Sequence, residues 1–102
     1  MTPDITVKEL KTKLTNQDDF LLLDVREQME FDTFNLNGKL IPLGSLMNRI
    51  EEIEEFKDKE IIVHCRSGAR SATAKHILQQ AGYNDVKNLL GGVLAWIEME
   101  NI

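Results

Sequence analysis

Glu60-Ile61-Ile62-Val63-His64-Cys65-Arg66-Ser67-Gly68-Ala69-Arg70-Ser71 is the stretch on which the reading of this chain turns. Its first half is an apolar run without polar alternation, the pattern of a strand covered on both faces and the best candidate for the centre of a sheet. Its second half breaks into small and cationic residues. From there Ala74, Ile77, Leu78 and Ala81 mark a helix that stops at Gly82, which is well placed as a left-handed C-terminal cap. Strand, tight loop and helix therefore meet at Cys65. In open α/β sheets, ligands lie at such carboxyl ends of strands.

Working outward, Phe20-Leu21-Leu22-Leu23-Asp24-Val25 is a second apolar run of the same kind. Ahead of it, Thr6-Val7-Lys8-Glu9 is a capping box that starts a short helix, with Val7, Leu10 and Leu14 at helical spacing. Glu27 to Phe34 reads as a short helix, Asn35 to Gly38 as a turn, and Lys39-Leu40-Ile41 as a strand that Pro42 ends. Leu43, Leu46, Met47, Ile50 and Ile53 then fall on one α-helical stripe, with Glu51, Glu52, Glu54 and Glu55 on the opposite face. Beyond Gly82, Tyr83 to Leu89 holds one more short strand, Gly91-Gly92 breaks the chain, and Val93, Leu94, Trp96 and Ile97 make a closing helix. Strands alternating with helices predict a small α/β domain over residues 1–102, with a largely parallel central sheet and helices on both faces.

The chain has 102 residues, enough for one core. Seventeen acidic residues against twelve Lys and Arg give a formal charge of -5, which argues against a general nucleic-acid or anionic-membrane binder. One cysteine excludes an intrachain disulfide framework and fits a reducing compartment. Met1-Thr2-Pro3-Asp4 begins without basic residues or a long apolar run, so no leader is expected and the default address is the cytoplasm. A monomer is the default for a small charged domain.

Charge is not evenly spread. Between Arg66 and Asn84 stand Arg66, Arg70 and Lys75 and no carboxylate, a stretch of +3 in a chain otherwise at -8. Gly68 can take a positive φ, so that successive N–H groups face inward as an anion nest around the Cys65 sulfur. Helix-terminal N–H groups and flanking arginines are expected to depress the Cys65 pKa and yield a thiolate nucleophile. The plain alternative is an inert buried cysteine at a strand end. A metal site is disfavoured, since His64 and His76 are the other soft ligands and His64 points away from its strand neighbour Cys65. His64 reads as a packed histidine. His76, inside a helix, completes no acyl-transfer triad.

The order Leu23-Asp24-Val25-Arg26-Glu27, Glu30-Phe31, Ile62 to Ser71, Leu90-Gly91-Gly92 and Ala95-Trp96 resembles a single-domain rhodanese, a sulfurtransferase family, over nearly the whole chain. The resemblance implies that Cys65 takes a sulfane sulfur from a small anionic donor such as thiosulfate, as a persulfide. It would pass that sulfur to cyanide, a thiol or a sulfur-accepting protein. It also implies that the backbone N–H groups of Arg66, Ser67, Gly68, Ala69 and Arg70 hold the persulfide anion, that Arg66 meets the donor, and that Arg70 braces the loop or adds positive charge. No metal or organic cofactor is implied. Asp24, Arg26 and Glu30 read as structural support, Gly91 and Gly92 as a close passage beside the loop, and Trp96 as core.

Cysteine phosphatases and arsenate reductases of the same fold are the enzymatic rivals. The phosphatases separate cysteine and arginine by five residues, whereas four lie between Cys65 and Arg70, and Ser71 stands where their arginine would be. The shorter ring suits one transferred sulfur better than a tetrahedral oxyanion. The chain also departs from the family's Gly-His-Ile-Pro-Gly-Ala element, with Gly38-Lys39-Leu40-Ile41-Pro42-Leu43 in its place, so no role of that histidine carries over. A non-catalytic interaction module presenting the acidic face Glu51 to Glu55 is the alternative from another class.

Overall fold

The computed structural model describes residues 3–101; Met1 and Thr2, the start of the segment read for a leader, and Ile102 lie outside the described residues. In chain order the elements are α1 (Val7–Thr15), β1 (Leu21–Asp24), α2 (Gln28–Thr33), β2 (Lys39–Leu40), two 3₁₀ segments (Leu43–Ser45 and Met47–Phe56), β3 (Glu60–His64), α3 (Ala69–Gln80), β4 (Asp85–Asn88) and α4 (Gly92–Glu100). The four strands form a parallel sheet in the order β2-β1-β3-β4. The apolar runs of β1 and β3 are the two interior strands, as their lack of alternation requires. From β1 the chain proceeds to one side, and from β3 to the other. The crevice between their carboxyl ends is therefore the topological switch point of the sheet, where Asp24 lies opposite His64 in register and Cys65 follows directly.

Two cores cover the sheet. On one face Leu23, Val25, Ile61, Val63 and Cys65 pack with Leu46, Ile53, Ala74 and Leu78; on the other Leu22, Ile62 and Leu89 pack with Ile5, Leu10 and the partly buried Trp96. Alternate residues of β3 thus feed opposite cores. The α1 capping box forms with both of its hydrogen bonds, and α3 ends in a Schellman arrangement, with Gly82 at φ +92° and the Tyr83 N–H donating to the Leu78 carbonyl at 3.0 Å.

One element differs from its expected form. The stripe Leu43 to Ile53 does not make an amphipathic α-helix but two 3₁₀ segments, the second kinked at Arg49 and Ile53. Three-residue spacing sets Ile50, Ile53 and Phe56 on one side, and the non-helical backbone at Arg49 breaks the register ahead of them, so that Leu46 is buried while Met47 is 66% exposed. The acidic residues Glu51, Glu52, Glu54 and Glu55 remain on the outside.

Candidate active site

Cys65 leaves β3 at the bottom of a loop that turns directly into α3. Gly68 makes this possible: its φ of +112° is open to glycine and strained for other residues, and it aims the Gly68 N–H at the Cys65 sulfur, 3.1 Å away. The Ser71 hydroxyl lies 3.4 Å from the same sulfur. It also lies 2.6 Å from Asn88 Oδ1 and 3.2 Å from the Gly68 carbonyl. One hydroxyl proton faces three acceptors, so sulfur must compete for it, and it competes best when ionised. Asn88 stays in place because its Nδ2 donates to the Gly68 carbonyl at 3.2 Å and its backbone N–H donates to Asp4 at 2.9 Å.

These contacts set the acidity of the thiol. Burial pushes the Cys65 pKa up, but the Ser71 hydroxyl and the backbone N–H groups of Ser71, Gly68 and Ser67 outweigh it and hold the pKa below the ordinary thiol value. The first turn of α3 carries no carboxylate, so the positive helix end acts on the sulfur uncompensated. Cys65 itself is only 1% exposed. A reagent must be small, and it must enter along the loop.

The loop is held from behind by α4. The Val93 N–H donates to the Cys65 carbonyl and the Leu94 N–H to the Arg66 carbonyl, each at 3.0 Å. The opening turn of α4 thereby spends free N–H groups on the loop backbone. Contact is so close that a Cβ on Gly92 would stand 2.5 Å from the Cys65 carbonyl oxygen. Gly91 enters at φ +78°, where a Cβ would meet Ala95.

Asp24 and Arg26 lie under the same crevice without touching the sulfur. Their pair is buried and forked: Arg26 Nε donates to Oδ1 at 3.0 Å and NH2 to Oδ2 at 2.8 Å. The guanidinium also donates to the carbonyls of Phe34 at 2.7 Å and Glu30 at 3.4 Å, tying the end of α2 to β1. His64 is buried beside them, with Nδ1–H directed at the Cys65 carbonyl at 3.4 Å and Nε2 lacking a hydrogen-bond partner 3.7 Å from Asp24. Burial, outweighing the pull of Asp24, holds its pKa below the usual histidine value. Its ring points away from the Cys65 sulfur, into the opposite face of the sheet.

Two of the three cations in the basic stretch prove to be neutralised. Arg70 makes a forked pair with Glu30 at 2.7 and 2.8 Å, and Lys75 pairs with Asp4 at 2.6 Å. Arg66 is exposed and forms no ion pair among the described residues. It borders an open cavity of about 290 Å³ whose other walls include Glu30, Met29, Phe34, Leu94 and Ile97. A larger cavity of about 770 Å³, between Lys13, Phe20, Leu22, Leu36 and Trp96, includes no residue of the Cys65 loop.

Of the residues expected to surround the sulfur, Ser67 and Gly68 turn their N–H groups to it, whereas the Arg66 side chain is exposed and the Arg70 side chain is turned to Glu30. Ser71, Asn88 and Glu30 complete the arrangement. Ser71 and Asn88 carried a weak signal, as polar residues at positions that the fold buries. Glu30 sits one turn after the β1 exit, and only the tertiary fold brings it across to Arg70.

Residues 6–99 match the family model for the rhodanese-like domain. A sulfurtransferase of Allochromatium vinosum is 38% identical over 102 aligned positions, covering 94% of this chain and 89% of that protein. A rhodanese-like domain protein from Staphylococcus aureus, of known crystal structure, superposes with a TM-score of 0.83 at 32% identity, covering 94% of this chain and 91% of that one. Thiosulfate sulfurtransferase from Pseudomonas aeruginosa gives a TM-score of 0.83 at 27% identity, and the chain spans 97% of itself but 19% of that protein. In longer relatives from Mycobacterium tuberculosis and Bacillus subtilis it spans 24% and 50% of their length. A parallel four-stranded sheet with a cysteine at its switch point, matched along almost its whole length, places this chain in the rhodanese-like domain family of sulfurtransferases and sulfur carriers.

Proposed function

We propose that this protein moves a sulfane sulfur from a small anionic donor such as thiosulfate to a thiol, cyanide or a sulfur-accepting protein, by way of a persulfide on Cys65. The observation that carries the reading is the Cys65 sulfur set among N–H donors at the head of α3, with the Gly68 N–H at 3.1 Å and the Ser71 hydroxyl at 3.4 Å. In the first step the thiolate attacks the outer sulfur of thiosulfate, the donor S–S bond breaks, and sulfite leaves with the electron pair. The same N–H groups that hold the thiolate then hold the terminal sulfur of the persulfide, which carries its negative charge one atom further into the loop. In the second step the acceptor attacks that terminal sulfur and Cys65 leaves as the thiolate, a good leaving group for the reason that its pKa is depressed. No net oxidation occurs in either step. A free thiol doing this work belongs in a reducing compartment, which makes the cytoplasm its address.

Phosphate-ester hydrolysis fits the loop poorly. Ser71, where the longer phosphatase loop carries its arginine, hydrogen-bonds inward to Asn88, and Arg70 is turned to Glu30. The test is direct. Incubated with thiosulfate and weighed intact, the protein is expected to gain one sulfur atom, and Cys65→Ser to gain none. Sulfur uptake by Cys65→Ser, or none by the native chain with any small sulfane donor, overturns the reading.

A further inference from the structure

We infer that Glu30 is a positioning residue that sets which donors reach Cys65: by occupying Arg70 it leaves the loop a single unpaired cationic side chain, Arg66, and so favours singly charged donors over dianions. The inference rests on the sulfurtransferase reading for what the donor delivers, but the charge argument stands on geometry alone. Glu30 meets Arg70 through both carboxylate oxygens, at 2.7 and 2.8 Å, the fork geometry in which guanidinium and carboxylate cancel best. The Glu30 carboxylate is further fixed by the Glu27 N–H at 2.9 Å, so it is locked to α2 as well as to the loop. Arg70 lies within electrostatic reach of the Cys65 sulfur and of Glu27. Freed from Glu30, it would face the thiolate and any incoming anion as a second positive charge.

The walls of the neighbouring cavity favour the same donor class. Beside Arg66 they present Met29, Phe34, Leu94 and Ile97, of which Met29 is 78% exposed and Leu94 43% exposed, together with Thr33 and with Arg26 and Glu30, each already held in its own ion pair. One unpaired cation next to apolar side chains suits an anion that carries its charge at one end and carbon at the other. An organic thiosulfonate has this form. Attack by the Cys65 thiolate on its outer sulfur breaks the donor S–S bond, and the organic sulfinate departs with the electron pair, leaving the persulfide.

Glu30→Gln tests the inference, because glutamine retains an acceptor for the Glu27 N–H and removes only the charge. Two readouts are needed. In the first, alkylation rates of Cys65 by iodoacetate and by neutral iodoacetamide are compared; both report the same thiolate, so their ratio isolates reagent charge from thiol acidity. The ratio is expected to rise about three-fold in Glu30→Gln at low ionic strength and to relax toward the native value in high salt. In the second, KM for thiosulfate is expected to fall about ten-fold while KM for methanethiosulfonate, a monoanion, falls about three-fold. A purely structural role would alter both donors alike, through kcat. An unchanged alkylation ratio, or equal changes for the two donors, overturns the inference. If the native protein takes no sulfur from either donor, the sulfurtransferase reading falls, whereas the alkylation ratio still decides whether Glu30 governs anion approach.

Discussion

Two arginine–carboxylate forks flank the Cys65 loop, and they do different work. Asp24–Arg26 has side chains 0% and 4% exposed; Glu30–Arg70 has side chains 30% and 35% exposed. The geometry is nearly the same, with closest approaches of 2.8 and 2.7 Å. What differs is the water. A buried fork has already given up hydration on both sides, so removing one partner strands a charge in the core. A fork one-third exposed can fall back on solvent, so its removal costs little stability but changes the field at the surface. The first pair holds the floor of the site, and the second shapes what approaches it.

The largest expected effect tests the buried fork. Arg26→Met leaves Asp24 buried with the backbone N–H of residue 26 but no cation, and removes the link to the Glu30 and Phe34 carbonyls at the end of α2. It is expected to cost about 3–5 kcal/mol of unfolding free energy, measured by urea denaturation. Arg70→Met should cost about 1 kcal/mol or less. Equal losses from the two variants would erase the distinction between the pairs. The companion Asp24→Asn/Arg26→Met sharpens it: with the stranded charge gone, part of the loss should return.

The next effect lies on the sulfur and not on the fold. Ser71→Ala removes the side-chain donor 3.4 Å from Cys65 and the partner of Asn88 Oδ1 at 2.6 Å. The thiol pKa should move up toward its ordinary value, since burial then opposes only the backbone N–H groups. Thiolate absorbance against pH measures the shift. Alkylation at neutral pH should slow accordingly, while maximal alkylation at high pH stays near that of the native protein. A titration curve unmoved by Ser71→Ala would mean that the hydroxyl proton is given wholly to Asn88.

How far the sequence announced this site depends on the range of the interaction. The Cys65 loop was legible because its parts are consecutive: an apolar run, a cysteine, a glycine able to take positive φ, and a helix start without acids. That β1 and β3 lie inside the sheet was legible from the same runs, whereas the strand order was not. The charge of the site was not legible. Reading Arg66, Arg70 and Lys75 as a +3 stretch ignored Glu30 and Asp4, 40 and 71 residues away, which only the parallel sheet brings alongside. Leu43 to Ile53 misled for a different reason. Spacings of three and four suit both α and 3₁₀ winding over one turn, and the breaks at Arg49 and Ile53, which leave Met47 outside the buried stripe, are not written in that pattern.

Acid offers the smallest and most selective way to separate the two forks. Arg70 holds the Glu30 carboxyl well below its ordinary 4.5, at about 2. A carboxylate whose pKa is lower folded than unfolded binds fewer protons in the native state, so its contribution is complete above about pH 4.5 and is lost as pH falls toward 2. With side chains about one-third exposed, solvent reduces that contribution to about 1 kcal/mol or less. The difference in unfolding free energy between the native chain and Glu30→Gln should therefore be flat above pH 4.5 and shrink toward zero near pH 2. The iodoacetate-to-iodoacetamide ratio cannot be followed so far into acid, because iodoacetate itself protonates, but between pH 8 and 5 it should stay constant in the native chain. A ratio that rises across that window would mean that some group other than Glu30 holds Arg70 in check, and the division of labour between the buried and exposed forks would have to be redrawn around it.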